Sequence, residues 1–214
     1  MFKKELFITK IIINTPNKSI VKTVNYKYCL HFLTFVGMIK EKITCLEELL
    51  EVLPQCKGSD YVGLVKRIEL EATDFSSYQF WSPDHYTRNC IVKTESHELI
   101  LLCWEEGQET PIHCHAGEEC WVHLLQGEMK EIRYEDQEHT DIPLPIDEVV
   151  VTEGQFSYMN DEMGYHSLKN THSGRSMSLH LYMNPIDTCQ AYNEKTEEFD
   201  WKILSYHSKD GILL

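Results

Sequence analysis

No two cysteines of this chain stand in a Cys-x-x-Cys pair, no apolar stretch reaches the length of a membrane span, and basic residues are scarce, 20 Lys and Arg against 34 Asp and Glu. Each shortage excludes something. Without close cysteine pairs there is no structural zinc knuckle. Eight cysteines (29, 45, 56, 90, 103, 114, 120 and 189) scattered through a chain that is 42% hydrophobic are not the staples of a small secreted protein. They read as reduced thiols and place the protein in the cytoplasm. The apolar stretch Tyr28–Ile39 covers about a dozen residues where a span needs roughly 20. Met1-Phe-Lys-Lys begins like a secretion signal, but Lys10 interrupts the apolar stretch and no small-residue cleavage site follows. A formal charge of −14 and a pI near 5.2 argue against nucleic acid and anionic membranes as partners. A monomer acting on a small molecule is the expectation that remains.

Repeats, low-complexity runs and linkers are also missing after residue 40, and 214 residues suffice for one domain with a substantial core. The expected division is a single domain over 38–214 after an extension over 1–37 that shows neither period nor caps, with Met38 as the functional start. Thr44-Cys-Leu-Glu47 has the form of a capping box ahead of the leucine-spaced helix 46–53, closed by Pro54, and 59–68 reads as a second short amphipathic helix. From about residue 85 short runs rich in Val, Ile, Leu, Tyr and Trp alternate with polar turns. The spacing predicts strands over 89–92, 99–104, 109–115, 119–125, 128–134, 149–152, 155–159, 166–170 and 176–182. Many short strands without long helices between them imply a mainly β sandwich or barrel.

Within that pattern, His113-Cys-His115 puts two imidazoles on one face of a predicted strand, where they can share a metal ion. His166 follows in Gly164-Tyr-His166. Ser178-Leu-His180-Leu-Tyr182 repeats the alternation with three polar side chains, and a polar interior face needs partners to offset its desolvation. Gly107, five residues, His113 and His115, then Cys120, six residues and Gly127, resembles the first motif of the cupin superfamily with cysteine in its glutamate slot. The other way of counting places Glu119 there, giving two histidines and a carboxylate. His166 and Asn170 represent part of the second cupin motif.

Three histidines with cysteine in that slot resemble the thiol dioxygenases, and specifically the cysteine dioxygenase family, over roughly residues 84–210. Tyr86-Thr-Arg88-Asn, Leu102-Cys-Trp104-Glu-Glu-Gly107, the His113 to Gly127 motif, Ser178 to Tyr182, Asp187-Thr-Cys189 and Tyr206-His-Ser-Lys209 carry the likeness. Met183-Asn184-Pro185 departs from the family's usual Ser-Pro-Pro, and Cys114 from its common aspartate. The resemblance implies a cupin β-barrel with short N-terminal helices, Fe²⁺ on His113, His115 and His166, and a substrate carboxylate held by Arg88 with Tyr86. It also implies a thioether bond joining Cys120 to Tyr182. L-cysteine and O₂ would be the substrates and cysteine sulfinate the product. Three neutral imidazoles leave the ion's charge uncancelled and positions open for a thiol substrate. Tyr182 would offer its hydroxyl to the reacting groups, with Ser178 and His180 orienting it and Trp104 as a wall behind them. A carboxylated sibling substrate, 3-mercaptopropionate, and a cupin that is not a dioxygenase, an isomerase or a small-ligand sensor, are the alternatives. Arg133 is the next arginine by motif. Trp121 reads as a core aromatic, and His123, His139 and His172 have no expected role.

Overall fold

The structure, a computed structural model, describes residues 10–15, 18–23, 42–135 and 143–214. The chain divides into two compact units, residues 1–41 and 42–214. In the first, Lys10–Thr15 (β1) and Lys18–Thr23 (β2) pair antiparallel, Thr15 opposite Lys18. β-branched residues on either side of Pro16-Asn17, Ile11 to Ile13 and Ile20-Val21, carry a strand signal that the expected absence of elements had passed over. Met38 lies outside the described residues.

The second unit opens with helices Leu46–Val52 (α1) and Asp60–Val65 (α2). The expected capping box differs in detail: Cys45 is the N-cap, and the Thr44 N–H donates to Glu48 Oε2 at 2.9 Å, one position beyond Glu47. Twelve strands follow: Thr87–Lys93 (β3), Glu98–Trp104 (β4), Cys120–Gln126 (β5), Glu128–Tyr134 (β6), Pro145–Thr152 (β7), Phe156–Met159 (β8), Tyr165–Asn170 (β9), Ser176–Tyr182 (β10), Thr188–Asn193 (β11), Glu198–Ile203 (β12), Ser208–Lys209 (β13) and Ile212–Leu213 (β14). β14-β13-β3-β4-β10-β5-β8 form one sheet, and β7-β6-β9 and β11-β12 form two others.

Glu109–His115, expected as a strand, is not one. It meets its neighbours through single bridges, Glu109 to Lys169 and His113 to both His166 and Ala191. Pro111 removes a ladder donor in the middle of that stretch. The bridges at His113 nevertheless join β9 to β11, so that the smaller sheets continue one another.

β4 and β10 are buried along their whole length, which explains their near-continuous apolar character. Leu99, Leu101 and Cys103 with Met177, Leu179 and Leu181 pack with Leu46, Leu49, Leu53 and Leu64 of the helical segment. The alternate positions Ile100, Leu102 and Trp104 pack with Val122, Leu124, Met129, Leu168 and Tyr182 in a second cluster, fed by the other sheet. Ser178 and His180 have the parity of Tyr182. The polar row therefore belongs to the interior between sheets. No helix among the described residues is long and apolar enough to cross a membrane.

Candidate metal centre and the pocket around it

His113, His115 and His166 converge, with one ring nitrogen from each lying within 4.8 Å of the others. Backbone pairing sets two of them: the His113 N–H donates to the His166 carbonyl at 2.9 Å and the His166 N–H donates back at 3.0 Å. The Nδ1–H of His113 donates to the Pro111 carbonyl at 2.9 Å, which leaves Nε2 as the lone-pair nitrogen. His166 does likewise through Nδ1–H to Glu131 Oε1 at 2.9 Å, and its Nε2 is buried without a partner. His115 Nδ1 is also buried without one. Burial, helped by the neighbouring His166, pushes His113 down to about 3 and His115 well below the usual imidazole range. These rings are neutral. Buried nitrogens with unused lone pairs are costly unless something accepts them, and a shared metal ion does so. The three histidines form a metal-binding site.

Two carboxylates brace it. Burial alone would raise Glu131, but hydrogen bonds from His166 and Ser157 and the Arg133 charge bring it down to about 2. Asp161 accepts from the backbone N–H of His115 at 2.7 Å and of Gly117 at 2.5 Å. Between them Ala116 sits at φ +54°, a left-handed conformation an alanine adopts only when held there. Neither acid was expected from sequence. Glu131 had a readable signal, since it shares inward parity with Met129 on β6. Asp161, in a short 3₁₀ turn ahead of β9, had none. Glu119, the competing ligand candidate, accepts instead from the Tyr158 hydroxyl at 2.8 Å.

On β10, the Trp104 indole N–H donates to Ser178 Oγ at 2.9 Å, and Ser178 Oγ lies 2.9 Å from His180 Nε2. The other His180 nitrogen faces Cys120 Sγ at 4.0 Å. The row thus meets Cys120 before Tyr182. Cys120 and Tyr182 are directly opposite in the β5–β10 register. Burial raises both the thiol and the phenol, so both keep their protons. Trp104, expected as a wall behind His180 and Tyr182, stacks on Tyr86 with ring centres 4.6 Å apart.

Tyr86, Arg88, the three histidines, His180 and Tyr182 line one cavity of about 250 Å³. Nε and Nη2 of Arg88 are buried there without a hydrogen-bond partner. Its guanidinium carbon is 5.8 Å from the centre of the Tyr206 ring, and Tyr206 donates its hydroxyl hydrogen to the buried Glu98. Arg133 lies elsewhere, its Nη2 at 3.4 Å from the Tyr158 carbonyl.

A three-histidine metal site inside a barrel of short β-strands makes this a cupin metalloprotein. Residues 46–195 match the family described as Cysteine dioxygenase type I, and the chain belongs to that family. Human cysteine dioxygenase type 1 is 32% identical over 177 residues, 78% of this chain and 88% of the relative. The Danio rerio protein of that name is 30% identical over 176 residues, with the same coverage. Among solved structures, TT1209 from Thermus thermophilus aligns with a TM-score of 0.43 and 17% identity, over 53% of this chain and 97% of that one. The protein is an enzyme, a thiol dioxygenase of the cysteine dioxygenase type.

Proposed function

We propose that the protein oxidises L-cysteine with O₂ to cysteine sulfinate, using ferrous iron held by His113, His115 and His166. The observation that carries this reading is Arg88: a guanidinium with buried, unpartnered N–H groups in the same cavity as the three histidines. A buried cation without a counter-ion is costly, and a substrate anion offsets that cost. A carboxylate suits the planar fork, which can give it two parallel hydrogen bonds.

The unused Nε2 of His166, with the converging ring nitrogens of His113 and His115, fits a divalent transition ion, and imidazole suits iron. When bound, iron supplies the redox chemistry that transfers both atoms of O₂ to a thiolate sulfur, two steps up the thiol oxidation ladder. The remaining tasks belong to side chains of this chain. Arg88, with Tyr86 beside it, grips the carboxylate and thereby fixes where the thiol reaches. Tyr182, kept protonated by its burial, presents a hydrogen-bond donor to the reacting groups. Ser178 and His180, tied to the Trp104 indole, fix the wall on which Tyr182 and Cys120 meet. Glu131 holds the His166 tautomer that leaves Nε2 free.

Oxygen uptake by the iron-loaded protein, compared for L-cysteine, 3-mercaptopropionate and cysteamine, tests the reading. Uptake is expected with L-cysteine above all, with product sulfinate identified by mass. Faster uptake with 3-mercaptopropionate would make that thiol the substrate, and no uptake with any of the three would leave a cupin of other chemistry.

A further inference from the structure

Arg88 is gripped from behind by a segment that carries no chemistry in the reading above. β13 pairs parallel with β3 only from Ser208 opposite Asn89 onward. One residue earlier, the His207 N–H donates to the Arg88 carbonyl at 2.8 Å, continuing the ladder. The Arg88 N–H then has no strand carbonyl to meet. It donates to the side chain of His207, at Nδ1, 3.2 Å away. An imidazole therefore stands in for a ladder carbonyl at the residue whose guanidinium enters the pocket. The preceding residue, Tyr206, offers its ring to that guanidinium, and Ser208 donates to Asn89 Oδ1 at 2.8 Å. Residues 206–208 thus hold residue 88 by backbone and by side chain.

The imidazole performs this role in one tautomer only. Nδ1 accepts, so it carries no hydrogen, and the hydrogen of neutral His207 sits on Nε2. That nitrogen lies 2.6 Å from Nε2 of the exposed His85, with ring centres 4.7 Å apart. His85 must then accept, which makes it neutral with its own hydrogen on Nδ1.

We propose that His207, held in its Nε2–H tautomer by His85, is a positioning residue for Arg88 and so sets the protein's preference for carboxylated thiols. Loss of the acceptor orphans the Arg88 N–H, lets the first residues of β3 shift, and misplaces the guanidinium relative to the histidines. The metal ligands and their braces are untouched. The effect belongs to ligands that carry a carboxylate and spares those that do not. This inference rests on Arg88 being the carboxylate anchor.

The test is anaerobic titration of the iron-loaded protein with L-cysteine and with cysteamine, in the parent and in His207→Ala, His207→Asn, His85→Ala and Arg88→Ala. His207→Ala is expected to weaken L-cysteine roughly tenfold, because the misplaced guanidinium loses part of its charge-assisted contact with the carboxylate, and to leave cysteamine unchanged. Asn offers an oxygen near the Nδ1 position and restores most of the loss. His85→Ala, a surface change that does not threaten folding, shifts L-cysteine in the same direction by a smaller factor, because His207 is then free to adopt the other tautomer. Equal weakening of both ligands by His207→Ala, or no change in either, overturns the proposal when Arg88→Ala still weakens L-cysteine alone. If Arg88→Ala itself leaves L-cysteine unaffected, the anchor reading falls, and this inference falls with it.

Discussion

Arg88 separates charge from shape. Arg88→Ala removes a charge-assisted contact worth roughly 1.5–3 kcal/mol, so affinity for L-cysteine should fall by about one to two powers of ten. Arg88→Lys keeps the positive charge and loses the second parallel hydrogen bond, and should recover only part of that loss. Steady-state oxygen uptake read as kcat/KM measures both, and a lysine variant equal to the parent would mean that the site reads charge alone. Glu131 governs the metal rather than the substrate. Glu131→Gln preserves size but exchanges an ionised acceptor for an amide facing His166 and Ser157, and iron affinity should drop by about 10–100-fold. Competition with a chelator gives the number. An unchanged affinity would show that the Glu131 hydrogen bond does not fix the His166 ring.

Among the elements, the pairing of β5 with β10 sets Cys120 against Tyr182, the two residues that the family resemblance implies are joined by a thioether. Joining sulfur to the phenol ring removes the thiol hydrogen and one ring hydrogen, two electrons and two protons passing to O₂. A bond of that kind survives reductant, so a reducing denaturing gel of protein exposed to L-cysteine and oxygen should show a faster band that grows with time. Cys120→Ala should give one band. Peptides carrying Cys120 and Tyr182 found only separately after turnover would show the bond to be absent. Where β6 approaches β10, Gly127 has φ +86°, and a Cβ there would fall 2.1 Å from Ser176 Oγ. Gly127→Ala should cost about 1–3 kcal/mol in a denaturant titration.

How far these elements could be read beforehand depended on burial. β6 and β10 match their expected bounds, β10 because its apolar residues alternate along a strand buried throughout, β6 although the charged Glu131 and not Ile132 takes the inward parity of Met129. β11 and β12 went unread although Cys189 and Ala191 alternate along β11 and Phe199, Trp201 and Ile203 along β12; Trp201 and Ile203 are exposed, and the pairing of the two strands rests on backbone hydrogen bonds. The histidine pair was legible through spacing, although the strand assumed to carry it is a bridged loop. What spacing could not convey is what holds that loop, because Asp161 reaches it from a distant turn.

Seen as a whole molecule, the apolar clusters on the two faces of the large sheet are continuous without any contribution from the metal ligands. Removal of the metal should therefore leave far-ultraviolet circular dichroism unchanged and lower the midpoint of thermal unfolding by only the binding free energy that is lost. Collapse of the spectrum on chelation would mean that the barrel depends on its ion.

The bridge between His113 and His166 spans four strands in chain order: β5, β6, β7 and β8 are all made before the third ligand exists. A chain still emerging from the ribosome carries two histidines on a loop whose brace, Asp161, has itself just been synthesised. Two unbraced imidazoles hold a metal weakly. Competence to bind is therefore acquired late and in one step, once β9 closes against His113, and an unfinished or truncated chain stays free of a metal ion it has no pocket to contain.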